Sequence, residues 1–286
     1  MIQVKELCFR YPGSGAYTLR DISFSIGSGE IFGFLGPSGA GKSTLQKILI
    51  GMLRQYEGEA IVLGEEIRQT GSDFYQRIGV AFEFPNFYGR FTALENLELF
   101  RSLYAGKAKA KSPLAMLEEV GLGEYRHTRV SDFSKGMKMR LNLCRALLHD
   151  PELLFLDEPT SGLDPVNAKL VKNLIQEKKA AGKTVLITTH NMQAAEELCD
   201  RIAFVVEGRI VLIDSPRRLK MKHGRRKLHV EYRQAGELVR GEYPLEGIGE
   251  NKEFLDTLRN RQVETIHTAE ATLEDVFVVT TGRSLR

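Results

Sequence analysis

Between Asp21 and Ile26 the chain alternates, with Ile22, Phe24 and Ile26 set against Asp21, Ser23 and Ser25. That period of two predicts a half-buried antiparallel strand. Further on the pattern changes. Ile31 to Leu35, Ile78 to Phe82, Leu153 to Leu156, Val185 to Ile187 and Ile202 to Val206 are short, unbroken apolar runs, suited to strands buried on both faces of a parallel sheet. Helical patterns separate them: Leu45, Ile48, Leu49, Met52 and Leu53 follow the first run at helical spacing. From about 85 to 150 strand-like runs are absent. Leu94, Leu97 and Leu103, then Leu114, Leu117 and Val120, then Met137, Leu141, Cys144 and Leu148 recur at helical intervals instead. The pattern predicts an α/β protein whose mixed sheet joins N-terminal antiparallel strands to a parallel core, with a helical subdomain inserted at about 85–150.

A second domain is expected from 217 to 286, after a main domain over 1–216. Arg217, Arg218, Lys220, Lys222, Arg225, Arg226 and Lys227 place seven cations in eleven positions. Such a run reads first as a solvated linker, and second as a contact for anionic lipid or a membrane partner. Candidate strands follow at Leu228 to Tyr232 and Glu237 to Tyr243, then a helix over Asn251 to Leu258, a strand over Val263 to Thr268 and a helix from Leu273. Together they predict a small α+β extension.

Composition narrows the classes. With 286 residues, 42% of them hydrophobic, the chain can bury substantial cores. No apolar run reaches the roughly 18 to 20 residues that cross a bilayer, and Met1 to Glu6 carry no signal-peptide pattern, so any membrane role must come through a partner. The 3 cysteines, Cys8, Cys144 and Cys199, are widely spaced, which argues against a disulfide framework or a zinc cluster. A net charge of +3 is too small to imply a nucleic-acid surface.

The candidate chemistry begins at Gly36-Pro37-Ser38-Gly39-Ala40-Gly41-Lys42-Ser43-Thr44, which matches the phosphate-loop pattern G-x-x-x-x-G-K-[ST] between an apolar strand and a helix. Gly36, Ser38, Gly39, Ala40 and Gly41 would turn backbone N–H groups toward the phosphates of a nucleoside triphosphate. Lys42 would reach the β/γ phosphates, Ser43 would ligate Mg²⁺, and the helix N-terminus that follows adds partial positive charge. Leu153 to Leu156 then run into Asp157-Glu158, at the strand end where an open α/β sheet places its ligand. Asp157 is a candidate Mg²⁺ holder, and Glu158 the base that polarises the attacking water.

Further residues make the chain resemble the ATP-binding subunit of an ABC transporter over 1 to about 215. Phe133-Ser134-Lys135-Gly136-Met137 corresponds to the family signature, in which Lys135 and Met137 stand for the usual Gly and Gln. This variant resembles exporters of the ABC-2 type that move drugs, antibiotics or lipids. Ser161-Gly162-Leu163-Asp164-Pro165 is similar to the D-loop, Thr188-Thr189-His190 to the switch histidine, and Tyr11 in Phe9-Arg10-Tyr11-Pro12 to the aromatic that stacks on adenine. Glu83, in Phe82-Glu83-Phe84-Pro85, takes the place of the Q-loop glutamine, where its oxygen would still ligate Mg²⁺. The tail Ala271 to Phe277 with Thr281-Gly282 also resembles the ABC-2 export branch.

The resemblance implies two copies, or one copy and a relative, dimerising head to tail around two ATP molecules, with Ser134, Gly136 and Asp164 serving the nucleotide held mainly by the opposite subunit. It further implies a separately encoded integral membrane permease, touched around Glu83 to Leu97, and a place on the cytoplasmic face of the cell membrane. Two rivals are a soluble ABC ATPase of DNA repair or translation and a regulatory module that binds ATP without hydrolysing it. Neither long heptad arms nor a second cassette occur here, and Glu158 with His190 argues against the latter.

Overall fold

The alternating N-terminal stretch becomes one face of an antiparallel layer in the computed structural model, which describes residues 1–104, 111–224, 227–234, 236–269 and 271–283. Strands β1 (Ile2–Phe9) and β2 (Leu19–Ile26) pair antiparallel. Ile22, Phe24 and Ile26 are buried. In β1 the buried positions are Ile2 and Val4, then Leu7 and Phe9; a register shift between Val4 and Leu7 moves the inward set by one residue.

Strand β3 (Ile31–Leu35) is buried along its whole length and leads through the glycine-rich loop into helix α1 (Lys42–Leu49). The helix is shorter than its apolar stripe. It stops at Leu49, Gly51 turns the chain with φ +76, and Met52 is left 60% exposed, so the expected continuation through Met52 and Leu53 is not helical. β4 (Glu57–Val62) and β5 (Glu65–Glu66) complete a four-stranded sheet in the order β2-β1-β4-β5. A short α2 (Ser72–Tyr75) precedes β6 (Ile78–Ala81).

Helices then take over, as their spacing requires: α3 (Ala93–Ser102), α4 (Pro113–Glu119) and α5 (Lys135–Leu147). Each begins at a side-chain cap, with Thr92 and Glu95 forming a reciprocal capping box on α3, and Ser112 and Ser134 accepting from backbone N–H groups of α4 and α5. β7 (Leu153–Asp157), α6 (Pro165–Ala180), β8 (Thr184–Thr189), α7 (Met192–Leu198), β9 (Arg201–Val206) and β10 (Arg209–Asp214) follow. The second sheet has six strands in the order β10-β9-β3-β8-β7-β6, and its β9-β3-β8-β7-β6 ladder is parallel. The core lies between the two sheets and around α1, where Phe24, Phe32 and Phe34 meet ring to ring with Leu45, Ile48 and Leu49 in the same cluster.

The chain divides into two compact units, Met1–Ile213 and Asp214–Arg286. The second opens with α8 (Pro216–His223), capped by Ser215 and anchored by buried Leu219. The basic run is therefore partly helical and not the plain linker its composition predicts; Arg225 and Arg226 of that run lie outside the described residues. Arg218 and Lys222, one turn apart on α8, both lie against Asp214. β11 (Lys227–Gln234), β12 (Glu237–Pro244), α9 (Lys252–Asn260), β13 (Gln262–Ala269) and α10 (Leu273–Thr281) then form a three-stranded antiparallel sheet, order β12-β11-β13, with Val230 and Tyr243 packed on Phe254 of α9. Cys8, Cys144 and Cys199 are free thiols.

Gly79 in β6 sets how closely α5 approaches the sheet. A β-carbon there would meet the Ala146 carbonyl oxygen at 2.1 Å and Leu154 Cδ2 at 2.8 Å, so the helix end must move before any side chain fits. Gly79→Ala is expected to lower stability by about 1–3 kcal/mol, read as an earlier midpoint in urea unfolding followed by circular dichroism. An unchanged midpoint would contradict this packing constraint.

Candidate functional site

The C-terminal ends of β3, β7 and β8 open onto one cavity of about 470 Å³, lined by Ser38 to Thr44, Glu83, Asp157, Glu158, His190 and Thr18. The parallel register puts them there: Leu35 pairs with Thr189, and Asp157 with Thr188. Gly36 has φ +156, and a β-carbon on it would strike the Val205 carbonyl oxygen at 2.1 Å, so the loop can leave the strand only through glycine. Gly41, with φ +106, turns the chain into α1.

Lys42 is 9% exposed. Its ammonium donates to the carbonyls of Gly36 at 2.6 Å and Pro37 at 3.0 Å. Burial pushes its pKa down, against the pull of Glu158, Asp157 and Glu83. Asp157 feels the opposite cost: burial raises its pKa, and the Thr188 hydroxyl, which donates to Oδ1, opposes the rise. Glu158 is 7% exposed and sits at φ +49, a left-handed conformation that costs a non-glycine residue on the order of 1 kcal/mol. The turn brings its carboxylate back to the end of β8. There Oε1 accepts from the His190 backbone N–H at 2.9 Å and from His190 Nδ1 at 2.6 Å, while Oε2 accepts from the Thr189 hydroxyl at 2.9 Å.

The remaining expected residues separate into two groups. Glu83 lines the cavity with Ser43 and Asp157, giving hydroxyl and carboxylate oxygens that suit a hard cation such as Mg²⁺. No group of three or more His, Cys, Asp or Glu among the described residues forms a metal cage by itself. A Mg²⁺ ion here would complete its shell from water and phosphate oxygens, as that ion commonly does. Tyr11 stands beside the loop, its hydroxyl 3.2 Å from that of Thr44 and its ring edge-on to Phe9, but it is not among the residues lining this cavity.

Ser134, Gly136 and Asp164 are not among them either. Ser134 caps α5 by accepting from Met137 N–H at 3.2 Å, and Asp164 caps α6 by accepting from Val166 and Asn167 N–H at 3.0 Å. These two helix starts adjoin, for a β-carbon on Gly136 would lie 3.2 Å from Leu163 Cδ2. Thr18, Thr188 and Thr189 bear on the site, although in the sequence only His190 of the Thr188-Thr189-His190 segment has a motif role. A polar pair closing the apolar run of β8 was the available signal for Thr188 and Thr189; Thr18 had none, because it reaches the site only through folding.

The ABC transporter family model matches residues 19–161, which span the loop, the signature and the Asp157-Glu158 strand. The chain belongs to the ABC transporter family. Residues 226–270 match the model of a fluoroquinolone efflux ABC transporter C-terminal domain. The chain is similar to the fluoroquinolones export ATP-binding protein of Mycobacterium tuberculosis, with 54% identity over 286 residues, 100% of this chain and 94% of the relative. It is 37% identical over 282 residues to the Nod factor export ATP-binding protein I of Bradyrhizobium diazoefficiens, covering 93% and 92% of the two chains. Among solved structures, an ATP-binding subunit of an ABC transporter superimposes with a TM-score of 0.70 at 27% identity, over 78% of this chain and 93% of the other. An ATP-binding cassette in a dimeric, post-hydrolysis state bound to ADP and Pi gives 0.67 at 26% identity, over 75% and 98%.

Asp157 supplies a pH test. Its folded carboxyl holds its proton more tightly than the unfolded one, so its contribution to stability is lost as pH rises from about 4 through the folded value. Asp157→Asn should therefore raise the melting temperature of nucleotide-free, metal-chelated protein on the alkaline side of that transition and flatten its decline as pH rises above about 4. Parallel melting curves across that range for the two proteins would contradict the burial argument.

Proposed function

We propose that this chain is the ATP-hydrolysing subunit of an ABC exporter, driving a separate integral membrane permease from the cytoplasmic face of the membrane. The observation that carries the reading is the meeting of the Lys42 loop, Asp157, Glu158 and His190 on one cavity. The printed activities of the relatives, fluoroquinolone export and Nod factor export, support the export direction. No helix among the described residues is long and apolar enough to cross a membrane, and a separate permease meets that need.

In this reading the backbone N–H groups of Gly39, Ala40, Gly41 and Lys42 hold the phosphates, with Ser38 and Thr44 completing the loop, and Tyr11 stacks on adenine. Lys42 exchanges its two carbonyl partners for β/γ phosphate oxygens. Ser43, Asp157 and Glu83 would hold Mg²⁺, whose chemistry when bound is neutralisation of phosphate charge. His190 donates to the γ-phosphate. Glu158 accepts a proton from water as the water oxygen bonds to the γ-phosphorus, and the bond from that phosphorus to the β–γ bridging oxygen breaks to release ADP.

Ser134, Gly136 and Asp164 act across a head-to-tail dimer, which accounts for their absence from their own chain's cavity. The permease docks beside Glu83. Phe82 and Phe84 line an apolar groove of about 430 Å³ with Ile50, Met52 and Leu103, while Glu83 between them lines the nucleotide cavity. One short segment thus touches both the fuel and the partner.

Glu158→Gln keeps the shape of the side chain and removes the base. Phosphate release should fall by roughly 100-fold or more while ATP binding persists, and gel filtration with ATP should show a stable dimer. Wild-type turnover would remove Glu158 from the mechanism. A second test uses the capping role of Ser134: Ser134→Asp preserves the cap on α5 but sets a negative charge against the partner's γ-phosphate. Monomer melting and ATP affinity should stay near wild type, and the ATP-dependent dimer should disappear. Retention of that dimer would place Ser134 outside the interface.

A further inference from the structure

We infer that Thr189 is a positioning residue for hydrolysis, its buried hydroxyl fixing one oxygen of Glu158 so that the other alone is free to exchange partners. The role rests on the reading of Glu158 as the base. Thr189 closes β8 and is 2% exposed. A threonine hydroxyl has one proton to give and lone pairs to receive. Here the Asn191 backbone N–H donates to Oγ1 at 3.0 Å, and the hydroxyl proton goes to Glu158 Oε2 at 2.9 Å. Asn191 in turn caps α7 through its bond from Ala194 N–H at 2.9 Å. The carboxylate is therefore tied, through one hydroxyl, to a strand end and a helix start.

The two oxygens of Glu158 are held differently. Oε2 has a buried donor. Oε1 is bonded to the backbone N–H of His190 and to its ring, and that side chain is 58% exposed, within reach of water and of an arriving phosphate. When the ring turns to the γ-phosphate, Oε1 loses one donor and becomes the oxygen that takes the proton from water. Thr189 keeps Oε2 in place, so the carboxylate does not swing away with the ring. An apolar strand end would be filled equally well by Val, which has the shape of Thr without the hydroxyl; the hydroxyl is what distinguishes the position.

The test is steady-state ATPase kinetics of the full chain with ATP and Mg²⁺, comparing Thr189→Val, Thr189→Ala, Thr189→Ser and Glu158→Gln. Val and Ala should lower kcat by about 10-fold or more, with KM and ATP affinity held within about twofold of wild type. Ser should restore kcat to within about twofold. Adding Thr189→Val to Glu158→Gln should cause no further loss, since the carboxylate it positions is gone. Wild-type kcat in Thr189→Val, failure of Ser to rescue, or loss of ATP binding in both Val and Ala would overturn the role, the last by making the hydroxyl an element of folding. Wild-type turnover in Glu158→Gln would instead overturn the base reading and this role with it. Loss in Glu158→Gln beside normal Thr189→Val would overturn Thr189 alone.

Discussion

The parallel pairing of β3 with β8 and of β8 with β7 places three separate stretches of chain at one sheet edge. The phosphate loop leaves β3, the acidic pair ends β7, and the Thr-Thr-His segment ends β8. Side chains along these strands are buried on both faces, so a slip of one residue would drive a polar strand end into the apolar interior. Hydrophobic burial thus sets the register, and the register sets the distance between Lys42 and the carboxylates.

That edge carries an electrostatic cost. Lys42 and Asp157 are both buried enough to shift toward their neutral forms, and the protein offsets this with short local bonds: two carbonyls for Lys42, the Thr188 hydroxyl for Asp157. In the proposed reading, a nucleotide and its cation would supply stronger partners for the same groups. On that reading Lys42 and Asp157 are charges whose best partners would arrive with the ligand, which would favour binding by differential interaction.

Helix caps give a second economy. Ser134 and Asp164 begin α5 and α6 with side-chain oxygens on backbone N–H groups, so the residues that resemble the family signature and D-loop also build the helix ends that carry them. The adjoining of Gly136 with Leu163 links these two starts. In the proposed head-to-tail dimer, such a helix N-terminus would face phosphate held by the other subunit.

Much of this was legible in the sequence because it depends on local rules. The unbroken apolar runs suit doubly buried strands, the glycines at Gly36 and Gly41 mark backbone that other residues cannot adopt, and Lys42, Asp157, Glu158 and His190 stand at the ends of elements, where an open α/β sheet places its ligand. Three features needed the fold. The stripe through Met52 and Leu53 continued past the helix, because a turn at Gly51 overrides spacing. The basic run beginning at Arg217 is in part a capped helix, since Leu219 finds a buried place that charge density does not reveal. The role assigned to Thr189 depends on which hydroxyl lone pair and which proton face Asn191 and Glu158, and such partners, 31 residues apart in the case of Glu158, are chosen by tertiary structure because hydrogen-bond geometry is decided over tenths of an ångström that no one-dimensional pattern encodes.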